Sequence, residues 1–306
     1  MLTMQHFMLA KLTEQDEEPL SDAFVGGLLF PDAIRAYGVS RRVSHFELAD
    51  DGSGRSSGWV IPNRMDAIEG PIGPGGSTLP DSLSYHDLAP ACPHAAFGQY
   101  TDVPRFCEAA HAFDSTTEYG LEMLRGISVH LLAQDLAFDV FVREHLLDVT
   151  GMGSGIYIDR ISGRSLDGGE ARAYVTEVER QGIYYLAGAL WAKRGITADT
   201  AWLRESMRHA MESVYPATLV EKTLAYVEVD PRHEALIQRH DFDGLDAGPC
   251  TAASLTELYS QAMRASRIAE RVTDLDPSRF SEAKLAMGAR FRTCDAQRGP
   301  EGGRSL

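Results

Sequence analysis

Between residues 114 and 147 the chain places Leu121, Leu124, Ile127 and Leu131 three or four residues apart. This spacing lines one face of an α-helix and cannot line one face of a strand. Ser115 or Thr116 is an available N-cap, and Glu118, three residues after Ser115, completes a capping box. The turn sequence TGMGSG at 150–155 stops the pattern. The spacing therefore predicts a helix of roughly 33 residues, about 50 Å long at 1.5 Å per residue. Apolar side chains crowd both of its faces around 127–142, which marks a helix covered on all sides by other elements.

The remaining periodicity supplies those elements. Residues 3–12 read as a short helix, and Ser21 or Asp22 caps a second one over AFVGGLLF. Pro31 interrupts this second helix and leaves Asp32 at its C-terminal edge. Further helical patterns cover 170–194 after the loop GRSLDGGE, then 198–214 with an extension past Pro216 to 227, then 251–273 and 279–290. YIDRI (157–161) and LAYVEV (224–229) read as short strands. Residues 51–103 concentrate Gly, Pro and Ser in GSGRSSG, GPIGPGG and PACP, the composition of a long irregular loop. The expectation is an all-α, or mostly α, single helical domain over 1–290 around a long central helix. It carries the irregular insertion 51–103 and a flexible tail at 291–306. With 306 residues and 44% hydrophobic content, the chain can bury a substantial core.

Charge and cysteine use exclude several functions. A net charge of −15 repels nucleic acids and anionic membranes at long range, so neither is expected as a partner. Cys92, Cys107, Cys250 and Cys294 form no CxxC pair and no dense framework. The opening residues lack the pattern of a signal peptide, and no apolar run reaches 18 residues. A cytoplasmic protein without stable membrane insertion is the expectation.

Polar residues inside apolar surroundings carry the functional signal, because burial of such groups is costly unless they are partnered. Four stand out: His6 in QHFMLA, Asp32 after GGLLFP, His45 in RRVSHFE, and His130 in SVHLLAQDLAFD (128–139). Imidazole nitrogens with a carboxylate oxygen suit zinc and other divalent first-row metals.

In order and spacing, His6, AFVGGLLFPDAIRAY (23–37), RRVSHFE (41–47) and GISVHLLAQDLAFD (126–139) resemble the zinc-dependent phospholipase C-like family. That family combines a helical fold with an N-terminal His, a Gly-x-x-x-Pro-Asp turn, a Ser-His segment and a helix bearing His-x-x-x-Asp. The likeness covers roughly the first 150 residues. It implies a metal-dependent phosphoesterase core with His6, Asp32, His45 and His130 as ligands, and it fixes no substrate. The chain departs from the pattern at the fifth ligand: position 134 is Gln134, and Asp135 follows. In a regular helix Asp135 stands about 140° around the axis from His130, and Asp139 about 180°. One extra residue in a π-bulge would bring Asp135 to the His130 side, with Asp139 one turn further along. The expectation adopts that bulge over the alternative of a regular helix with Gln134 near the site and Asp135 paired with an arginine of a neighbouring helix.

Arg41 and Arg42 precede His45 and are candidate phosphate-binding residues, with solvated surface arginines as the alternative. His111 and Asp114 are weaker candidates for lining the site. His-Asp pairs at 85–88 (YHDL) and 239–242 (RHDF) are compatible with an HD-type phosphohydrolase only if they sit on helices beside further ligands. The expected activity is metal-dependent hydrolysis of a small-molecule phosphoester by one to three divalent ions, most simply Zn2+. Asp32 either bridges ions or orients the attacking water. The alternative is a non-catalytic helical binding protein with an altered metal site.

Overall fold

The computed structural model describes residues 3–14, 19–37, 44–45, 106, 117–137, 146–148, 156–159, 164–243 and 256. For 134–137, 146–148, 156–159, 168–169, 171–172, 174–175 and 178 the description is limited to the backbone. The described residues form a mostly α protein. Its helices are α1 (Thr3–Thr13), α2 (Asp22–Ala33), α3 (Glu118–Ala137), α4 (Gly168–Arg194), α5 (Thr200–Glu212), α6 (Ala217–Leu224) and α7 (Pro231–Gln238), with a 3-10 turn at Ile34–Tyr37. The strands β1 (Leu146–Asp148), β2 (Ile156–Asp159) and β3 (Ser165–Asp167) make one small antiparallel sheet in that order.

Helix α2 starts where Ser21 accepts the Phe24 N–H at 3.1 Å, and it continues through Pro31 to Ala33. Proline has no N–H to return to the carbonyl four residues earlier, and the chain tightens directly afterwards into the 3-10 turn. Asp32 therefore lies inside the last turn of α2. Eight of the eleven residues of α1 are buried, so this helix runs through the interior. Its C-terminal carbonyls are satisfied from α4: Lys193 donates to Leu12 O at 2.6 Å and Arg194 donates to Glu14 O. Packing of α2 on α3 and of α1 on α4 and α2, with α5 against α2 and α6, encloses a core that includes Phe7, Phe24, Leu28, Leu29, Phe30 and Phe106.

The α2–α3 crossing is close because two glycines meet backbone. A Cβ on Gly27 would lie 1.9 Å from Met123 O, and one on Gly126 would lie 2.1 Å from Phe24 O and 2.5 Å from Leu28 N. Only the missing side chains let the two helices approach this far.

Several expectations need correction. The central helix spans 20 residues instead of roughly 33, and 146–148, expected as its last turn, are strand β1. Thr117 caps it, accepting the Gly120 N–H at 3.1 Å; Ser115 and Thr116 lie outside the described residues. The loop before α4 contains β3, and Asp167 and Glu170 form a reciprocal capping box there. Leu224 ends α6 and 225–229 form no strand, whereas α7, led by Asp230 and Pro231, was not anticipated. The expected insertion at 51–103, the helices at 251–273 and 279–290, and the tail at 291–306 fall outside the described residues, Thr256 excepted.

Candidate metal centre

Four histidine and aspartate side chains expected from separate stretches of sequence meet between α1, α2 and α3. Asp32, His45 and His130 bring one ligand atom each to within 4.8 Å of one another, so this group can hold a metal ion. His130 Nε2 is 3.2 Å from His45 Nε2, and His45 Nε2 is 3.4 Å from Asp32 Oδ1. His6 lies against the group, its ring stacked on that of His130 with centroids 3.9 Å apart and planes at 17°.

Each of the three converging side chains has its other polar atom held. His130 Nδ1 is 2.7 Å from Leu28 O, and a carbonyl only accepts, so Nδ1 carries the proton and neutral His130 directs a lone pair from Nε2. This contact exists because the glycine crossing one turn earlier brings α3 onto the α2 backbone. Ser44 Oγ is 2.8 Å from His45 Nδ1 and can donate or accept there, so His45 can present either an N–H or a lone pair at Nε2. Thr3 Oγ1 donates to Asp32 Oδ2 at 2.7 Å. Asp32 Oδ1 faces His45 and is 3.8 Å from the Arg35 guanidinium.

His6 differs from its neighbours. It is fully buried, and among the described residues neither of its ring nitrogens has a hydrogen-bond partner. Burial first, and then the imidazole of His130, push its pKa well below the ordinary histidine value, which keeps the ring neutral with one free lone pair. A buried imidazole with both nitrogens unsatisfied is expensive and calls for a ligand or water beside it. Its nitrogens are not part of the tight three-atom group.

Position 135 does not join this arrangement through a bulge. The backbone is α-helical without a π turn from Glu118 to Ala137, so the i to i−4 ladder absorbs no extra residue between His130 and Asp135. The Asp135 side chain itself lies outside the described residues, as do Arg41, Arg42, His86, His111, Asp114 and Asp139. The second His-Asp pair is placed elsewhere: His240 follows the end of α7 with φ 55°, stacks on Trp191 at 3.6 Å and bonds Thr197 Oγ1 at 2.8 Å. Residue spacing did not anticipate Thr3, the Leu28 carbonyl, Ser44 or Arg35 at the centre. Thr3 and His6 are three apart on one helix, a spacing that puts both on one face.

Fold and site together define a mostly α protein with a buried His/Asp group able to hold a metal ion. No known protein family, curated protein or solved structure matches the chain. Among the described residues, no helix is long and apolar enough to cross a membrane.

Proposed function

We propose that the chain is a metal-dependent hydrolase of phosphoesters, with Asp32, His45 and His130 holding a divalent ion, most simply Zn2+. The observation that carries this reading is the spacing of the donor atoms. Ligands about 2.0–2.1 Å from a tetrahedral zinc stand roughly 3.3–3.4 Å apart. Nε2 to Nε2 at 3.2 Å and Nε2 to Oδ1 at 3.4 Å lie close to that edge length, and all three donor atoms lie within 4.8 Å of one another. Three protein ligands with a fourth position left over is the pattern of catalytic zinc sites.

Asp32, His45 and His130 would hold the cation, which would supply activation of water and polarisation of a phosphoryl oxygen. The side chains do the rest. Leu28 O and Ser44 fix the two imidazoles, so that both Nε2 lone pairs point to one place. His6, neutral and without a hydrogen-bond partner among the described residues, is a weak base with its lowered pKa and would serve rather as a ligand to a second ion. Arg41 and Arg42 belong to this proposal as the phosphate-binding pair, whereas Asp135, about 140° around the regular helix from His130, is no part of it. The likeness of the three sequence stretches to the zinc-dependent phospholipase C-like family supports the same chemistry, and a cytoplasmic location accompanies it.

The test is metal analysis of protein purified without chelator, comparing wild type with His130→Ala and His86→Ala, followed by phosphomonoesters and phosphodiesters with and without chelator. Stoichiometric metal lost in His130→Ala and chelator-sensitive turnover are expected. Wild-type protein that neither carries nor takes up metal refutes the reading, and metal lost only in His86→Ala moves it to an HD-type site. A second reading, a non-catalytic binding protein with an altered metal site, is favoured by Gln134 at the family's carboxylate position and by the burial of His6, His45 and His130 to 1% exposure or less. Metal-loaded protein inert on the whole panel would select it.

A further inference from the structure

We infer that Thr3 is a positioning residue for the candidate metal centre: its hydroxyl holds Oδ2 of Asp32 and so leaves Oδ1 as the oxygen turned to His45. This rests on the metal reading above and adds to it the denticity of the carboxylate. A free carboxylate has two equivalent oxygens and can bind one ion through either or both. Here the two are differentiated. Oδ2 receives the Thr3 hydroxyl at 2.7 Å, whereas Oδ1 lies 3.4 Å from His45 Nε2. The Asp32 side chain is 8% exposed, so little water competes for either oxygen. A hydrogen bond to an ionised carboxylate in such surroundings is among the stronger ones.

The bond also joins two elements, because Thr3 opens α1 and Asp32 closes α2, 29 residues apart. Helix α1 thus brings a hydroxyl to the carboxylate and, one turn later, the imidazole of His6 to the face of His130. Thr3 does for Asp32 what Leu28 O and Ser44 do for the two histidines, and all three ligands then present a single donor atom each. Monodentate binding by Asp32 keeps the coordination number low and leaves the fourth position for water.

The experiment uses Co2+ as the probe with the full chain, and compares wild type, Thr3→Val, Thr3→Ala and Thr3→Ser. Valine keeps the shape and removes the donor; alanine removes the donor without adding bulk; serine keeps the donor. Loss of an outer hydrogen bond to a ligand typically lowers affinity 10–100-fold, so T3V and T3A are expected to bind Co2+ at least about tenfold more weakly, with T3S close to wild type. The visible Co2+ bands, intense for four-coordinate and weak for higher-coordinate ions, are expected to weaken in T3V and T3A and to persist in T3S. If the bond merely pins α1 to α2, the apo variants melt lower while affinity and bands stay as in wild type, and that result overturns the inference alone. Wild-type protein that binds no Co2+ overturns the metal reading, and this inference with it.

Discussion

Gly126→Ala tests whether the α2–α3 crossing sets the metal centre. The added Cβ would lie 2.1 Å from Phe24 O and 2.5 Å from Leu28 N, both backbone atoms that no rotamer change can move. Relief to 3.0 Å, the shortest approach real Cβ atoms show, requires the helices to part by about 0.9 Å. The same displacement applied to the 2.7 Å contact between His130 Nδ1 and Leu28 O opens it to about 3.6 Å, beyond a hydrogen bond. Forced overpacking costs about 1–3 kcal/mol, and a buried polar group left unsatisfied costs about 1–3 kcal/mol more. Against these stands the gain of up to about 1 kcal/mol from replacing glycine in a helix interior. The expected net loss is about 1–5 kcal/mol in urea unfolding of the apo protein, together with weaker Zn2+ binding by competition with a chromophoric chelator. Gly26→Ala is the comparator. Its new Cβ meets Val214 Cγ1 at 2.6 Å and Cβ and Cγ2 at 3.1 Å, away from the α3 backbone, so it should lose about 1–3 kcal/mol by overpacking and leave metal affinity alone. The reasoning fails if G126A equals or exceeds wild type in stability, which helix propensity alone would produce.

Other expectations follow from single groups. Because burial and His130 hold His6 below its ordinary pKa, the unfolded chain binds a proton first as pH falls. His6 therefore contributes stability that is present above about pH 6.5 and lost below it, with a limiting slope of about 1.4 kcal/mol per pH unit. His6→Phe should flatten the stability–pH curve of the apo protein below that point, and an unchanged slope would refute the assignment. Asp230 caps α7 through the Arg232 N–H at 2.9 Å, and hydrogen bonds from Arg232 hold its carboxyl far below the usual range. Asp230→Ala should cost about 1 kcal/mol at neutral pH, mostly as a lost cap because exposed ion pairs contribute little, and the difference should shrink on acidification through the carboxylate range. In thermal melts, Zn2+ should raise the midpoint of wild type and chelator should reverse the rise, while His45→Ala abolishes both responses.

The parts of the fold that could be read from residue order are those whose cause is local. The start of α2 at Ser21, the course of α1 and the bulk of α4 follow from caps and three-to-four-residue spacing, which act within a turn or two. The end of α3 was misjudged because β1 draws its stability from pairing with β2, and Leu146 opposite Asp159 is a relation invisible to a window of residues. The candidate ligands were legible as polar residues in apolar surroundings, since that mismatch has a cost wherever it occurs. Their geometry was not. Spacing can test only ligands on one element, which is why the His130–Asp135 interval drew so much weight, whereas the contacts that His130 makes in the structure lie 85 and 102 residues away.

The usable signal for that geometry was the glycines. Gly27 and Gly126 each sit inside a helical pattern, where glycine is disfavoured by up to about 1 kcal/mol relative to alanine. Gly26 and Gly120 lie in the same two helices, but Gly27 and Gly126 are a pair in which each meets the other helix's backbone, and one close crossing requires both. Helices in backbone contact at that point carry the residues of their following turns to the same place. The pair Gly27–Gly126 thus marks the crossing that brings Asp32 and His130, with His45, into a group able to hold a metal ion.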